Sequence, residues 1–227
     1  LLIEFNAGRD KPDPEANVTV LTRSGAEAKA IHRELIRQGI PASLSTTSSV
    51  FSQQLAATIH QLLNCVLKPE KSEMRRALLF ARPALFDIRT ELEDFIENHE
   101  EDLIIWLREL RATWTEKGLG AAWPALTGSA PKGLVSIKES LAKNPLRNRH
   151  LTDLDHIGEL LSTRERAEHL TPTGLVKMLA KATNEGSDSE DAADDEKIRP
   201  ESAYPQVVVQ TMHSSKGLQY HGVIIPG

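Results

Sequence analysis

Thr211, His213, Ser214, Ser215, Lys216 and Gly217 crowd into one short polar stretch between two β-rich apolar runs, Val207–Val209 and Val223–Ile225. Hydroxyls, an imidazole and an ammonium beside a glycine make a set of hydrogen-bond donors that suits a phosphate. Open α/β sheets bind phosphate-bearing ligands at the carboxyl ends of their strands, where this set is expected to lie. Gly217 lets the backbone turn and come close to a ligand. The chain ends at Gly227, directly after the second run, and we expect a piece of a larger protein.

The elements that would hold this stretch alternate between strand and helix. Val18–Leu21 reads as a strand, with Arg23 just past its end. A helix follows, with Ser24 as N-cap, Glu27 at capping-box spacing, and Gly39-Ile40-Pro41 as its stop. A short strand is expected at Ala42–Leu44 and a helix over Val50–Leu67, where apolar residues recur at helical spacing. Glu73–Phe80 reads as a further short helix. From about Thr90 to Asn184 helical patterns take over: Leu92–Asn98, Glu101–Glu116, Leu119–Leu126, Leu134–Leu141, Leu151–His169 and Thr173–Lys181. A helical block between two strand-bearing ends predicts an insertion into an α/β domain.

Composition bounds the alternatives. The chain has 227 residues, 27 Lys and Arg against 32 Asp and Glu, and 40% hydrophobic residues. These are ordinary values for a globular protein. No apolar run approaches the ~20 residues a membrane span needs, so no membrane role is expected and a cytoplasmic setting fits. The single cysteine, Cys65, excludes an internal disulfide and a multi-Cys zinc site, and it reads as core. The net charge of −5 is unusual for a nucleic-acid binder. It is concentrated in Glu185–Glu196, which holds seven acidic residues and no base; the remainder has a slight excess of Lys and Arg. That acidic stretch reads as a mobile tether.

Thr211-Met-His-Ser-Ser-Lys-Gly-Leu-Gln-Tyr220 resembles motif V of superfamily 1 helicases of the UvrD/Rep type, Thr-x-His-x-x-Lys-Gly-Leu-Glu-(Phe/Tyr). Gln219 departs from the usual Glu, and His221-Gly222 from the common Pro-Val. Ser49-Val50-Phe51, Arg149–Leu161 and Ile198–Ser202 are similar to the RecB-type branch, the β subunits of exodeoxyribonuclease V. The resemblance implies an α/β fold with a large all-α insertion, a partial RecA-like (P-loop NTPase-type) second motor domain interrupted by a helical subdomain. The implied divisions are 1–88 for the first part of the motor domain and 89–184 for the helical insertion. Residues 185–203 would be an acidic flexible linker, and 204–227 the strand–motif V–strand.

Function follows from the same resemblance. It implies an ATP-dependent 3′→5′ DNA helicase and exonuclease subunit acting in double-strand break repair and homologous recombination, with RecC-like and RecD-like partner subunits. Thr211, His213, Ser214, Lys216 and Arg23 would meet DNA; Gly217 and Gln219 would lie by the nucleotide. Lys216 could instead brace the loop, and Arg23 could be a surface residue at a helix start. The helical insertion would meet duplex DNA or partner subunits, with Arg147, Arg149, His150, Lys138 and Lys143 as its basic groups. ATP and Mg²⁺ belong to the full-length protein. This chain has no Gly-x-x-x-x-Gly-Lys-Ser/Thr phosphate loop, so it is expected to hold neither and to have no catalytic residue of its own.

Other readings use the same residues. A non-enzymatic helical adaptor explains the helical middle but not the spacing of Thr211, His213, Lys216 and Gly217; an AddA-like or UvrD-like helicase is a nearer alternative. His150, Asp153, Asp155 and His156 superficially suggest a metal cluster, but capping by Thr152 and surface polarity explain them better. Trp106, Trp114 and Trp123 read as helix-packing anchors.

Overall fold

Val18, Thr19, Val20, Leu21 and Thr22 are β-branched or bulky throughout, and they form β1 (Val18–Thr22). The computed structural model describes residues 18–45, 48–70, 72–75, 77, 92–131, 134–143, 146–185, 193, 195–199 and 207–226. The expected loop over Asp10–Asn17, the end of the expected helix Glu73–Phe80 and most of the acidic stretch lie outside these residues. Helix α1 (Gly25–Arg37) follows β1, then β2 (Ser43–Ser45). A 3₁₀ turn (Val50–Ser52) leads into α2 (Gln54–Leu67), because Ser49 caps the turn and Gln53 breaks it before the longer helix begins. Then come α3 (Leu92–Lys117), α4 (Leu119–Gly128), α5 (Ile137–Ala142), α6 (Arg147–Ala167) and α7 (Pro172–Glu185). The chain returns to strand at β3 (Val207–Thr211) and β4 (Gly222–Ile224).

All four strands are parallel, in the order β2-β3-β1-β4. Thus β3, from near the end of the sequence, inserts between two strands from its beginning. Val20, Val209 and Leu44 are cross-strand neighbours, and with Val207 they pack against Ala28, Ile31 and Leu35 of α1. The opposite face is mixed: Val208 and Leu21 share it with Thr19, Ser43 and Gln210, and those three polar residues are buried. The architecture is therefore α/β with a small parallel sheet and a predominantly helical remainder.

Contacts divide the chain into two compact units: Leu1–Ser48 with Glu190–Ala192 and Lys197–Gly227, and Ser49–Ser189 with Ala193–Glu196. The division falls at Ser48/Ser49, before residue 88, the bound implied by the resemblance. Helix α2 packs against α3, α6 and α7 and so joins the helical unit. In that unit Val50 N–H donates to Glu196 O at 2.7 Å and Ser49 Oγ to Glu196 Oε2 at 2.9 Å. In the sheet unit, Ile198 N–H donates to Ser48 O at 3.2 Å. The chain thus leaves and re-enters the sheet unit at hydrogen-bonded neighbours, as an insertion requires.

The helical unit is organised around its aromatic anchors. Trp114 is fully buried, and its Nε1–H donates to Glu165 Oε1 at 2.5 Å; the other Glu165 oxygen accepts from Leu119 N–H at 2.6 Å. Glu165 of α6 therefore caps α4, whose own N-cap is Gly118 at φ +82° with no side chain to do it. Trp123 lies directly on Gly158: a Cβ there would sit 2.3 Å from the indole. Only glycine lets α6 pass that close to the ring.

Several expectations need correction. Leu92–Asn98 and Glu101–Glu116 are one continuous helix, since Glu100 and its neighbours contain no breaker. Helix α6 begins at Arg147 rather than Leu151, so Thr152 lies inside the helix and caps nothing. Asp153 and His156 are buried, not surface polar groups. The acidic segment is anchored where it is described: Glu196 also pairs with Arg164, which sits 5.4 Å over the Phe51 ring, and His156 Nε2 donates to Asp195 O at 2.7 Å. Losing those partners would leave buried donors and acceptors unpaired, so this part of the stretch is no free tether.

Gly158→Ala is expected to destabilise the helical unit by about 1–3 kcal/mol through overpacking against Trp123, measured by chemical denaturation. An unchanged midpoint would show that the close approach is not needed. Burial, with the Glu73 carboxylate adding to it, pushes the Cys65 thiol up to about 12. The folded state therefore holds that proton more tightly than the unfolded chain. Its contribution to stability is complete below the ordinary thiol range and falls as pH rises past about 9. A thiol reagent at pH 8 should leave Cys65 unmodified until denaturant is added.

Candidate phosphate-binding edge of the sheet

Strands β1 and β3 lie side by side, and their continuations part. The chain after β1 runs through α1 to β2 on one side, whereas the chain after β3 runs to β4 on the other. Ligands of open α/β sheets bind outside the carboxyl ends of strands at such a switch point. Thr22 and Thr211 are cross-strand partners there. Met212 N–H donates to Thr22 O at 2.8 Å, and Thr22 Oγ1 donates to Gln210 O at 3.2 Å. Arg23 and the 212–221 loop therefore leave the sheet from one edge.

That loop is short for its task. Parallel strands usually need a crossover of about a dozen residues or more. Here residues 212–221 cross β1 without a helix and pair Gly222 with Val18. The first half is wound into hydrogen-bonded turns. Ser214 N–H donates to Thr211 Oγ1 at 3.3 Å, the two hydroxyls lie 2.9 Å apart, and Ser214 Oγ donates to Thr211 O at 3.0 Å. Ser215 N–H reaches Thr211 O at 3.2 Å, and Ser215 Oγ donates to Met212 O at 2.8 Å. Gly217 has φ +84°, a left-handed conformation that side-chain-bearing residues rarely adopt, with open space where a Cβ would stand.

The loop's polar groups thus fall into two sets. Thr211 is nearly buried and its hydroxyl is engaged by Ser214, so both residues brace the turn. By contrast, Arg23, His213, Lys216 and Gln219 are exposed, and their side chains have no hydrogen-bond or ion-pair partner among the described residues. Three of those four can carry positive charge. An acidic group shares the edge: Glu27 Oε2 accepts from Arg23 N–H at 3.0 Å while Ser24 Oγ caps Glu27 N–H at 3.2 Å. Ser24 is the helix cap expected from the sequence; Glu27 bonds one residue earlier than the usual capping box. A phosphate approaching the α1 N-terminus would meet that carboxylate, so the side chains, not the helix end, are the available donors.

Sequence reasoning missed Gln210 and, although it counted Tyr220 in the motif, gave Tyr220 no role. Gln210 Nε2–H donates to Tyr220 Oη, on the sheet face away from α1. A polar residue breaking the Val207–Val209 run was the available signal. The reverse applies to part of the basic group expected on the helical insertion, where Arg147 is exposed but Arg149 is not. Arg149 forms a buried ion pair with Asp153, Nε to Oδ2 at 2.9 Å, so it cannot face DNA. Lys138 is paired with Asp155 at 3.0 Å and Lys143 with Glu139 at 3.8 Å. No group of three or more His, Cys, Asp or Glu among the described residues is arranged to hold a metal ion. No helix among them is long and apolar enough to cross a membrane.

No protein-family model matches the chain. Curated relatives do. The chain is 31% identical over 230 residues to the RecBCD enzyme subunit RecB of Escherichia coli, covering 98% of this chain and 18% of that protein. The chain is homologous to a segment of RecB subunits. The RecB of Haemophilus influenzae is 27% identical over 215 residues, covering 93% of the chain and 17% of that protein. That of Mycobacterium tuberculosis is 26% identical over 223 residues, with 97% and 19% covered. The chain therefore spans less than one fifth of the length of the RecB relatives it matches.

The open space at Gly217 reports only on backbone conformation. Gly217→Ala is expected to cost about 1 kcal/mol through its positive φ, seen as a lower denaturation midpoint with no steric contribution. A stabilised variant would mean that the loop does not hold this conformation in solution.

Proposed function

We propose that this chain is part of the second, RecA-like motor domain of an ATP-dependent 3′→5′ DNA helicase and exonuclease subunit, with a helical unit inserted into it. The full protein would act in double-strand break repair and homologous recombination alongside RecC-like and RecD-like subunits. The observation that carries this reading is the exposed group of Arg23, His213, Lys216 and Gln219 at a switch point of the sheet, in a chain homologous to RecB.

Each residue then has a physical task. Arg23 and Lys216 attract the phosphates of a single strand, and His213 offers a ring for a base or a hydrogen bond to the backbone. Thr211 and Ser214 hold the turn that aims them and exchange their mutual hydrogen bond for one to phosphate when the strand seats. The swap replaces one neutral hydrogen bond by another, which permits grip and release in turn. Gln219 and the Gly217 backbone face the nucleotide in this reading. Hydrolysis of ATP with Mg²⁺ would supply the free energy of translocation in the full protein, and Gln219 would suit its ribose side as a neutral hydrogen-bond partner. The chain's sequence has no Gly-x-x-x-x-Gly-Lys-Ser/Thr loop to cradle the β- and γ-phosphates. The helical unit contacts duplex DNA or partner subunits. Its Arg149 is buried in an ion pair and is withdrawn from such a contact.

The chain is expected to show no ATPase activity, with or without DNA; measurable turnover would overturn this division of labour. A labelled oligothymidylate followed by anisotropy should bind in a salt-dependent manner. Arg23→Ala combined with Lys216→Ala should weaken it about tenfold and flatten the log–log salt slope by about 0.7 per lost contact. An unchanged slope would remove both residues from the DNA path.

A further inference from the structure

The Gln210–Tyr220 hydrogen bond has no role in the turn itself, yet it spans the whole loop. Gln210 is the penultimate residue of β3, and Tyr220 lies two residues before β4. Gln210 is only 2% exposed, in a strand where valines fill the preceding positions. Burying an amide is costly unless it is hydrogen-bonded, and an apolar residue would serve the sheet better. The partner that meets this cost comes from the loop, not from a neighbouring strand.

We propose that Gln210 and Tyr220 are a positioning pair that closes the 211–219 segment into a loop of fixed span, setting where Lys216 and Gln219 stand relative to Arg23. The inference rests on the phosphate-binding reading above. Its physical basis is the uneven bracing of the loop. Hydrogen bonds from Ser214, Ser215 and Leu218 hold the first turns: Leu218 N–H donates to Ser215 O at 3.1 Å. After Leu218, the described residues give Gln219 no bond of its own. Tyr220 is therefore an anchor of the second half, reaching back to β3. Without its hydroxyl, the stretch from Lys216 to Gln219 keeps the backbone bonds of its first turns and the β4 pairing at Gly222 beside Val18, but loses its side-chain tie to β3. Gln210 also lies next to the edge on its other side, since its carbonyl accepts from Thr22 Oγ1, adjacent to Arg23. One side chain and its own backbone thus tie together both segments that carry the exposed cations.

Tyr220→Phe in the full chain removes the hydroxyl and keeps the ring. Two measurements test it. Amide hydrogen exchange should accelerate at least fivefold across 216–220, while residues 207–211 keep their protection. Binding of labelled oligothymidylate should weaken three- to tenfold without the flatter salt slope expected of Lys216→Ala, because the cations remain and only their placement is lost. Gln210→Met should match Tyr220→Phe, and the double variant should lose no more than either alone. Gln210→Glu, which lets the phenol donate to a carboxylate, should restore part of the affinity. If exchange in the loop is unchanged in both single variants, the positioning role is wrong whatever the binding does. If Tyr220→Phe loosens the loop and binds as the parent does, while Arg23→Ala with Lys216→Ala weakens binding, the loop is tethered but its placement does not matter, and the proposal again fails. If the cation variants also bind as the parent does, the phosphate-binding reading falls, independently of the exchange result.

Discussion

The insertion of β3 between β1 and β2 is the constraint on which the rest depends. Its backbone pairs with both neighbours, so residues near the end of the sequence complete a sheet begun near its start. Such non-local pairing forms only after the intervening chain is brought back, at an entropic cost that grows slowly with length. The helical block meets that condition by leaving and returning at hydrogen-bonded neighbours. Ser48 with Ile198 marks this in the sheet unit, and Val50 and Ser49 with Glu196 in the helical unit. The same pairing sets Thr211 against Thr22 and so brings Arg23 and the motif loop to one edge.

Within that edge, satisfied and unsatisfied groups divide the work. The Thr211 and Ser214 hydroxyls bond to one another, which fixes the turn and lowers their availability to a ligand. Arg23, His213, Lys216 and Gln219 project without partners among the described residues. Glu27 limits the use of the α1 N-terminus for anions, because its carboxylate already folds back on Arg23 N–H. A cationic side-chain site, not a helix-dipole site, results. This contrasts with the glycine-rich phosphate cradles that rely on backbone N–H groups.

The helical unit is held together by buried polar bonds and close packing. Glu165 links α3, α4 and α6 by accepting from Trp114 and Leu119, and Gly158 admits the Trp123 ring. The buried Arg149–Asp153 pair is costly to break, because removing one partner leaves an uncompensated charge. These residues carry charge without presenting it. An inventory of Lys and Arg along the sequence therefore overstates what this surface offers to DNA.

Much of this was legible in the residues themselves. Hydrophobic periodicity located most helices, Ser24 and Glu27 marked the start of α1, and the spacing from Thr211 to Tyr220 pointed to the helicase superfamily, with Ser49–Phe51, Arg149–Leu161 and Ile198–Ser202 pointing to the RecB-type branch. These signals are local: a cap, a period or a motif is set by residues a few positions apart. Tertiary structure alone decided what depends on distant partners. It assigned α2 to the helical unit, because its apolar face is covered by α3 and α7. It tied Asp195 and Glu196 to His156, Ser49 and Arg164, turned Arg149 inward, and brought Gln210 to Tyr220 across the loop. Composition makes an acidic run look mobile and a basic residue look exposed. Whether a charge meets a partner is fixed by where the chain returns, and that is a property of the sheet pairing and the packed core.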